Sequence, residues 1–234
     1  MSYYDPPMLI DVFRLTRPTL DATVHEVIAY LKRNGGGFNY NRAAAHIRAA
    51  YDGYWNIESL VRQCRGFGNS VSLVHNAKVV ELAAPLAKDR KTQTFDFPRR
   101  ELVLKHGISS PLGPRFFFTE DGVIKVFYLH SRKDFRANLV DLAAVAVTYR
   151  THILENDFFG QPGDIEIVDV DRSKERANRY SLADLMPMLG EDPNVLLDRF
   201  VEAFIAIDES KAAGEKKERR PPTAHDDDQQ TFGW

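Results

Sequence analysis

The chain has 234 residues, 44% hydrophobic and 27% charged, with one cysteine and a formal net charge of −2. That length buries a core without staples, and the composition excludes wholesale disorder. A single cysteine excludes an intramolecular disulfide framework and a multi-cysteine zinc site, and the near-neutral balance offers no global electrostatic case for nucleic acid or membrane.

Residues 1–18 contain one apolar run, Met8-Leu9-Ile10-Asp11-Val12-Phe13, which reads as a short strand or a docking arm. Thr23 and Glu26 stand at capping-box spacing, and Val24, Val27, Ile28 and Leu31 follow on one helical face. Gly35-Gly36-Gly37 stops that helix, because glycine loses too much backbone freedom there. Asn41 caps a second helix to about Ala50, and Asp52-Gly53 turns the chain. Asn56 caps a third, with Ile57, Leu60, Val61 and Cys64 aligned. Asn69 or Ser70 opens a fourth, ending near Ala84 and Pro85.

The texture changes after Lys91. Glu101–Lys105 is compatible with a strand. Arg115–Thr119 and Val123–His130 flank Glu120-Asp121-Gly122, and Asp-Gly between β-rich runs predicts a hairpin. Both strands are apolar on both faces, so they are expected to be central and covered. A core helix is expected from Asp134 to about Glu155 and a strand over Asp164–Val170. Ser181 caps a short helix ending at Pro187, and Asp192-Pro193 starts the last one, with Phe200, Phe204 and Ile207 on its apolar side. The expected fold is α+β: an N-terminal helical region, residues 1–87, packed on a small mixed sheet in an α+β region, residues 88–210, as one continuous unit. Residues 211–234 are polar and expected to be a disordered tail.

The net charge hides a split. Residues 71–136 carry an excess of five basic side chains, and residues 137–210 an excess of nine acidic ones. The basic excess peaks at Lys88, Arg90, Lys91, Arg99 and Arg100, interleaved with Phe95 and Phe97. Cations meet phosphates and aromatic rings stack bases, so this segment is the candidate nucleic-acid site. Arg42, Arg48, Arg62 and Arg65 would serve a tri-helical DNA-binding unit, although Ser59 and Arg62 fall where its core residues belong.

Three acids, Asp226, Asp227 and Asp228, precede a terminal Thr231-Phe232-Gly233-Trp234. Phe232 and Trp234 would anchor and the acids would steer, so the tail is the candidate protein-docking element. Over about nine residues it is similar in style to the acidic-aromatic tails of bacterial single-stranded-DNA-binding proteins, with a different terminal sequence; no function is carried over.

The order helix, three strands, helix, strand also resembles restriction-endonuclease-like cores. That chemistry needs an acid-x-Lys pair on the third strand; Lys125 is there, but Val123 stands two residues before it. A metal-dependent phosphodiesterase would have to use Asp164 and Glu166, or Asp169 and Asp171, each pair sharing one strand face. The seven histidines lack metal-ligand spacing, and Cys64 reads as a small core hydrophobe. The expectation is therefore a cytoplasmic, non-enzymatic binding or adaptor protein with no cofactor, no metal, no catalytic residue and no membrane segment. The metal-dependent, nuclease-like enzyme is the alternative.

Overall fold

The computed structural model describes residues 4–32, 40–54, 56–67, 70–131, 137–212 and 214. The Met8–Phe13 run is neither strand nor arm. It lies in helix α1, Leu9–Leu15, behind Pro6-Pro7, with Leu9, Ile10, Val12, Phe13 and Leu15 all buried. Asp11 meets Arg14 at 3.1 Å within it, an i, i+3 pairing that helical geometry supports. Helix α2, Leu20–Leu31, is capped four residues before the expected position: the Thr19 hydroxyl accepts the Ala22 N–H. Thr23 is buried instead, its hydroxyl accepting the Arg17 N–H.

Helices α3, Asn41–Tyr51, α4, Ile57–Arg65, and α5, Val71–Ala83, lie where the sequence pattern places them, except that Asn41 is the first helical residue of α3 and Tyr40 stands at its N-cap. Asn56 caps α4 and Ser70 caps α5. A 3-10 turn, Ala84–Ala87, then leads into strand β1, Thr92–Asp96. Strands β2, Glu101–Val103, and β3, Ser109–Pro111, pair only with each other. The strand expected at 101–105 therefore stands outside the main sheet, and β1 takes its place. Strands β4, Phe116–Glu120, and β5, Val123–His130, form the hairpin, with Asp121 at φ 50° and Gly122 at φ 79° as its turn requires.

Helix α6, Leu139–Tyr149, starts at an Asn138–Asp141 capping box and runs on through a π turn, Arg150–Leu154, into α7, Glu155–Asp157. The chain returns as β6, Gly163–Asp171, parallel to β5, because a parallel neighbour needs such a crossover. Strand β7, Arg176–Ser181, helix α8, Leu182–Leu185, and helix α9, Pro193–Ser210, complete the chain. The main sheet has the order β1-β4-β5-β6-β7, so the protein is α+β with a five-stranded mixed sheet and a separate two-stranded one.

The register fixes which side chains share a face. Phe116, Phe118, Phe127, Val168 and Val170 pack with Ala43, Ile47 and Tyr51 of α3 and Val79, Val80 and Ala83 of α5. On the opposite face, Ile124, Val126, Tyr128, Ile165 and Ile167 meet α1, α6 and α9 through Leu9, Val12, Leu142, Phe200 and Phe204. Strand β5 is thus covered on both sides, as its apolar run predicts, whereas β4 is fully covered on its Phe116 and Phe118 face only and Phe117 on the other face stays half-buried. Among the described residues no helix is long and apolar enough to cross a membrane.

Candidate functional site

The densest polar cluster sits where α3 ends over the sheet. Alternation along β4, β5 and β6 puts Glu120, Lys125, Asp164 and Glu166 on one face, at the end the apolar side chains leave free. Arg90, from the loop before β1, drops onto them. Its Nε and Nη2 donate to the two Glu120 oxygens at 2.6 and 2.7 Å. Its Nη1 and Nη2 donate to the two Glu166 oxygens at 2.9 Å each. Tyr51 donates its hydroxyl to Glu166, and Lys125 donates to Glu120 at 2.7 Å. The Arg90 guanidinium lies 5.0 Å from the Tyr51 ring centre and 5.1 Å from that of Phe118.

The side chain of Arg90 is 10% exposed and that of Glu166 5%. Burial opposes the Arg90 charge, yet the bonds to Glu120 and Glu166 outweigh it and hold its pKa above the ordinary value. The bond from Arg90, reinforced by Lys125, lowers Glu120 to about 2. Burial first, and the Glu166 charge second, raise the Tyr51 phenol well above 10. Arg90 belongs to the basic segment in sequence; in the fold it is a largely buried clamp between two carboxylates.

This cluster floors a cleft of about 450 Å³ lined also by Asp121, Arg179, Ser181 and Asp184. Its acids already have work. Asp164 accepts the N–H groups of Ile165 and Leu182, Asp184 caps α8 from within, and Glu166 holds Arg90 and Tyr51. Asp169 and Asp171 lie on the other face, buried, and Asp171 closes the β6–β7 turn by accepting from Ser173 and Lys174. Among the described residues no three acid, histidine or cysteine side chains are grouped to hold a metal.

The remaining members of the basic segment separate. Lys88 and Lys91 are exposed ahead of β1, and Arg99 and Arg100 are exposed beyond its far end. Five strand residues at about 3.4 Å each put roughly 17 Å between the two pairs. At the Arg99 end the chain gathers aromatics. Phe95 of β1 stands opposite Phe117 of β4, their rings stacked at 5.1 Å and 16°. Phe117 in turn meets Phe158 at 5.1 Å, and Phe159 beside it is 87% exposed. The Arg100 guanidinium lies 5.6 Å from the Phe97 ring centre and pairs with Asp157. Arg115, half-buried, has its pKa lowered by burial and by the neighbouring Arg99 charge. Arg99 makes no ion pair among the described residues.

Phe117, Phe158, Phe159 and Arg115 come from segments that no local sequence pattern joins to Lys88–Arg100. The alternation of Phe95 and Phe97 was the available signal, but the partner strand was needed to complete it. In the helical region, Arg42 donates to the Gln63 carbonyl and Arg48 to Thr94 and Asp96, so neither is presented as a tri-helical unit requires; Arg62 and Arg65 are exposed on α4. Asp226, Asp227, Asp228, Phe232 and Trp234 lie outside the described residues. Comparison with known protein families and with curated proteins finds no match to this chain.

Proposed function

We propose that this is a non-enzymatic, cytoplasmic binding protein that takes single-stranded nucleic acid on the β1–β4 face. The observation that carries the reading is the stack of Phe95 on Phe117, continued to Phe158, beside Arg99, Arg100 and Arg115. Stacked aromatic rings accept any base, at about 1–3 kcal/mol per base, and adjacent guanidiniums meet the phosphates. Phe95, Phe117 and Phe158 stay half-buried while the same side of β5 and β6 is covered by helices, which leaves ring surface for a base. Lys88 and Lys91 would extend the phosphate track past the other end of β1, and the acidic-aromatic tail would bind a protein partner.

Titrating labelled oligothymidylate by fluorescence anisotropy at several salt concentrations tests this. Phe159→Ala should weaken binding about five-fold or more without a folding cost, since the ring is solvent-exposed. Arg99→Ala should weaken all sequences alike and flatten the salt slope by about one. Unchanged affinity in both variants, or equal affinity for duplex, would count against the assignment.

A further inference from the structure

The β1–β4 face ends in a bulge that brings two guanidiniums together. The Phe97 N–H donates to the Arg115 carbonyl at 3.3 Å, and the Leu112 N–H to the Arg100 carbonyl at 3.0 Å. Between these bonds stand Pro98 and Arg99 on one segment and Gly113 and Pro114 on the other. Proline has no N–H to give a ladder, and Gly113 takes φ 100°, so the two segments part here. The bonds on either side keep Arg99 beside Arg115, near enough for its charge to act there.

Arg115 stands one residue before β4. Alternation puts its side chain on the face of Phe117, which stacks on Phe95 one step along the same ladder. It is half-buried, beside Tyr128 and Tyr149. Among the described residues the guanidiniums of Arg115 and Arg99 have neither a hydrogen bond nor an ion pair. The carboxylates of this end are engaged elsewhere: Asp96 by Arg48, Asp157 by Arg100 and Glu101 by the Ser109 hydroxyl. A cation drawn out of water needs an anion, and a like charge beside it adds to the need. The basic track also stops here. Past Arg99, Arg100 is held by Asp157, Glu101 opens β2, and Lys105 is held by Asp198.

We infer that Arg115 and Arg99 seat the terminal phosphate of a single strand whose bases lie on the Phe95–Phe117–Phe158 face. The inference rests on the nucleic-acid reading and deepens it: the face takes phosphorylated chain ends in preference to internal stretches. A phosphomonoester carries about −2 charge at pH 7, against about −1 for an internal phosphodiester, and so matches both free guanidiniums. Its extra acceptor oxygen also suits two planar forks of donors.

The test uses the full chain and oligothymidylates of one length, labelled on an internal base and read by anisotropy. They carry a 5′-phosphate, a 3′-phosphate, hydroxyls at both ends, or either phosphate blocked as its methyl ester. At least one phosphorylated end should bind about ten-fold more tightly than the hydroxyl-ended strand, and the methyl ester should lose most of that gain. The end that gains gives the polarity of the bound strand. Arg115→Met should abolish the preference without lowering the melting temperature, since it removes a half-buried cation that has no partner. Arg99→Gln, at an exposed position, is the second variant and should cut the preference too. Equal binding of hydroxyl-ended and phosphorylated strands overturns the inference and leaves the nucleic-acid reading standing. A preference that survives both variants, or survives esterification, overturns it as well. Binding by none of the strands overturns the reading and the inference together.

Discussion

Replacing Arg90 with methionine keeps most of the side-chain volume and removes the guanidinium from between Glu120 and Glu166. Four hydrogen bonds of 2.6–2.9 Å disappear, and Glu166, nearly inaccessible to water, keeps only Tyr51 as a side-chain partner among the described residues. Breaking a buried pair by removing one partner costs about 3–5 kcal/mol, because the other charge stays buried. At this chain length that lowers the melting temperature by roughly 10 °C. The loss should depend on pH. Glu120 has its pKa lowered from 4.5 to about 2 in the fold, so its contribution is complete above pH 4.5 and is lost as pH falls toward 2. A shift of that size corresponds to stability on the order of 3 kcal/mol, and the bond from Arg90 is its largest cause. The gap between parent and Arg90→Met should therefore be widest at neutral pH and close through that window. Urea unfolding at a series of pH values measures it. Arg90→Lys should fall between the two, since an ammonium cannot fork across two carboxylates. A loss under about 1 kcal/mol at neutral pH, or a gap that stays constant down to pH 2.5, would refute the clamp, which rests on a buried pair.

Burial pushes the Cys64 thiol up to about 11 against an opposing effect of Arg42, so the folded protein should resist a disulfide reagent at pH 8 and react at once in denaturant; rapid native labelling would contradict this. Gly113 has φ 100°, and a Cβ there would come within 3.0 Å of Tyr128 and 3.1 Å of Met8, so Gly113→Ala should cost about 1–3 kcal/mol in urea unfolding. Millimolar Mg²⁺ or Mn²⁺ should move the melting temperature by less than about 1 °C, because the carboxylates of the cleft are engaged by Arg90, Lys125, Tyr51 and backbone N–H groups. A clear stabilisation would favour the phosphodiesterase reading.

What the sequence discloses and what it hides divide along a physical line. Local signals carry α3, α4 and α5, the Asp121-Gly122 hairpin, β6 and α9, because caps, glycine punctuation and apolar period act within a few residues. The edge strands β1 and β7 are hidden, since Thr-Gln-Thr-Phe-Asp and Arg-Ala-Asn-Arg-Tyr-Ser have no continuous apolar face to bury and become strands only by pairing with β4 and β6. Helix α1 is misread because its apolar residues run together on a short segment buried almost all round. The role of Arg90 is hidden for a different reason: its partners lie 30 and 76 residues away. A cluster of like charges in sequence said nothing of which member would turn inward. The same holds for the aromatic face, where Phe95 finds Phe117 across the sheet and Phe158 arrives from the end of α6 and α7.

The most direct test of the binding face is to photo-crosslink the full chain to an oligonucleotide carrying 5-iodouracil and map the linked peptides by mass spectrometry. The account predicts links at Phe95, Phe117, Phe158 or Phe159, reduced by Arg99→Ala and by excess single strand but not by duplex. Links confined to α4 around Arg62 and Arg65, or none above the level of a neutral control protein, would contradict it.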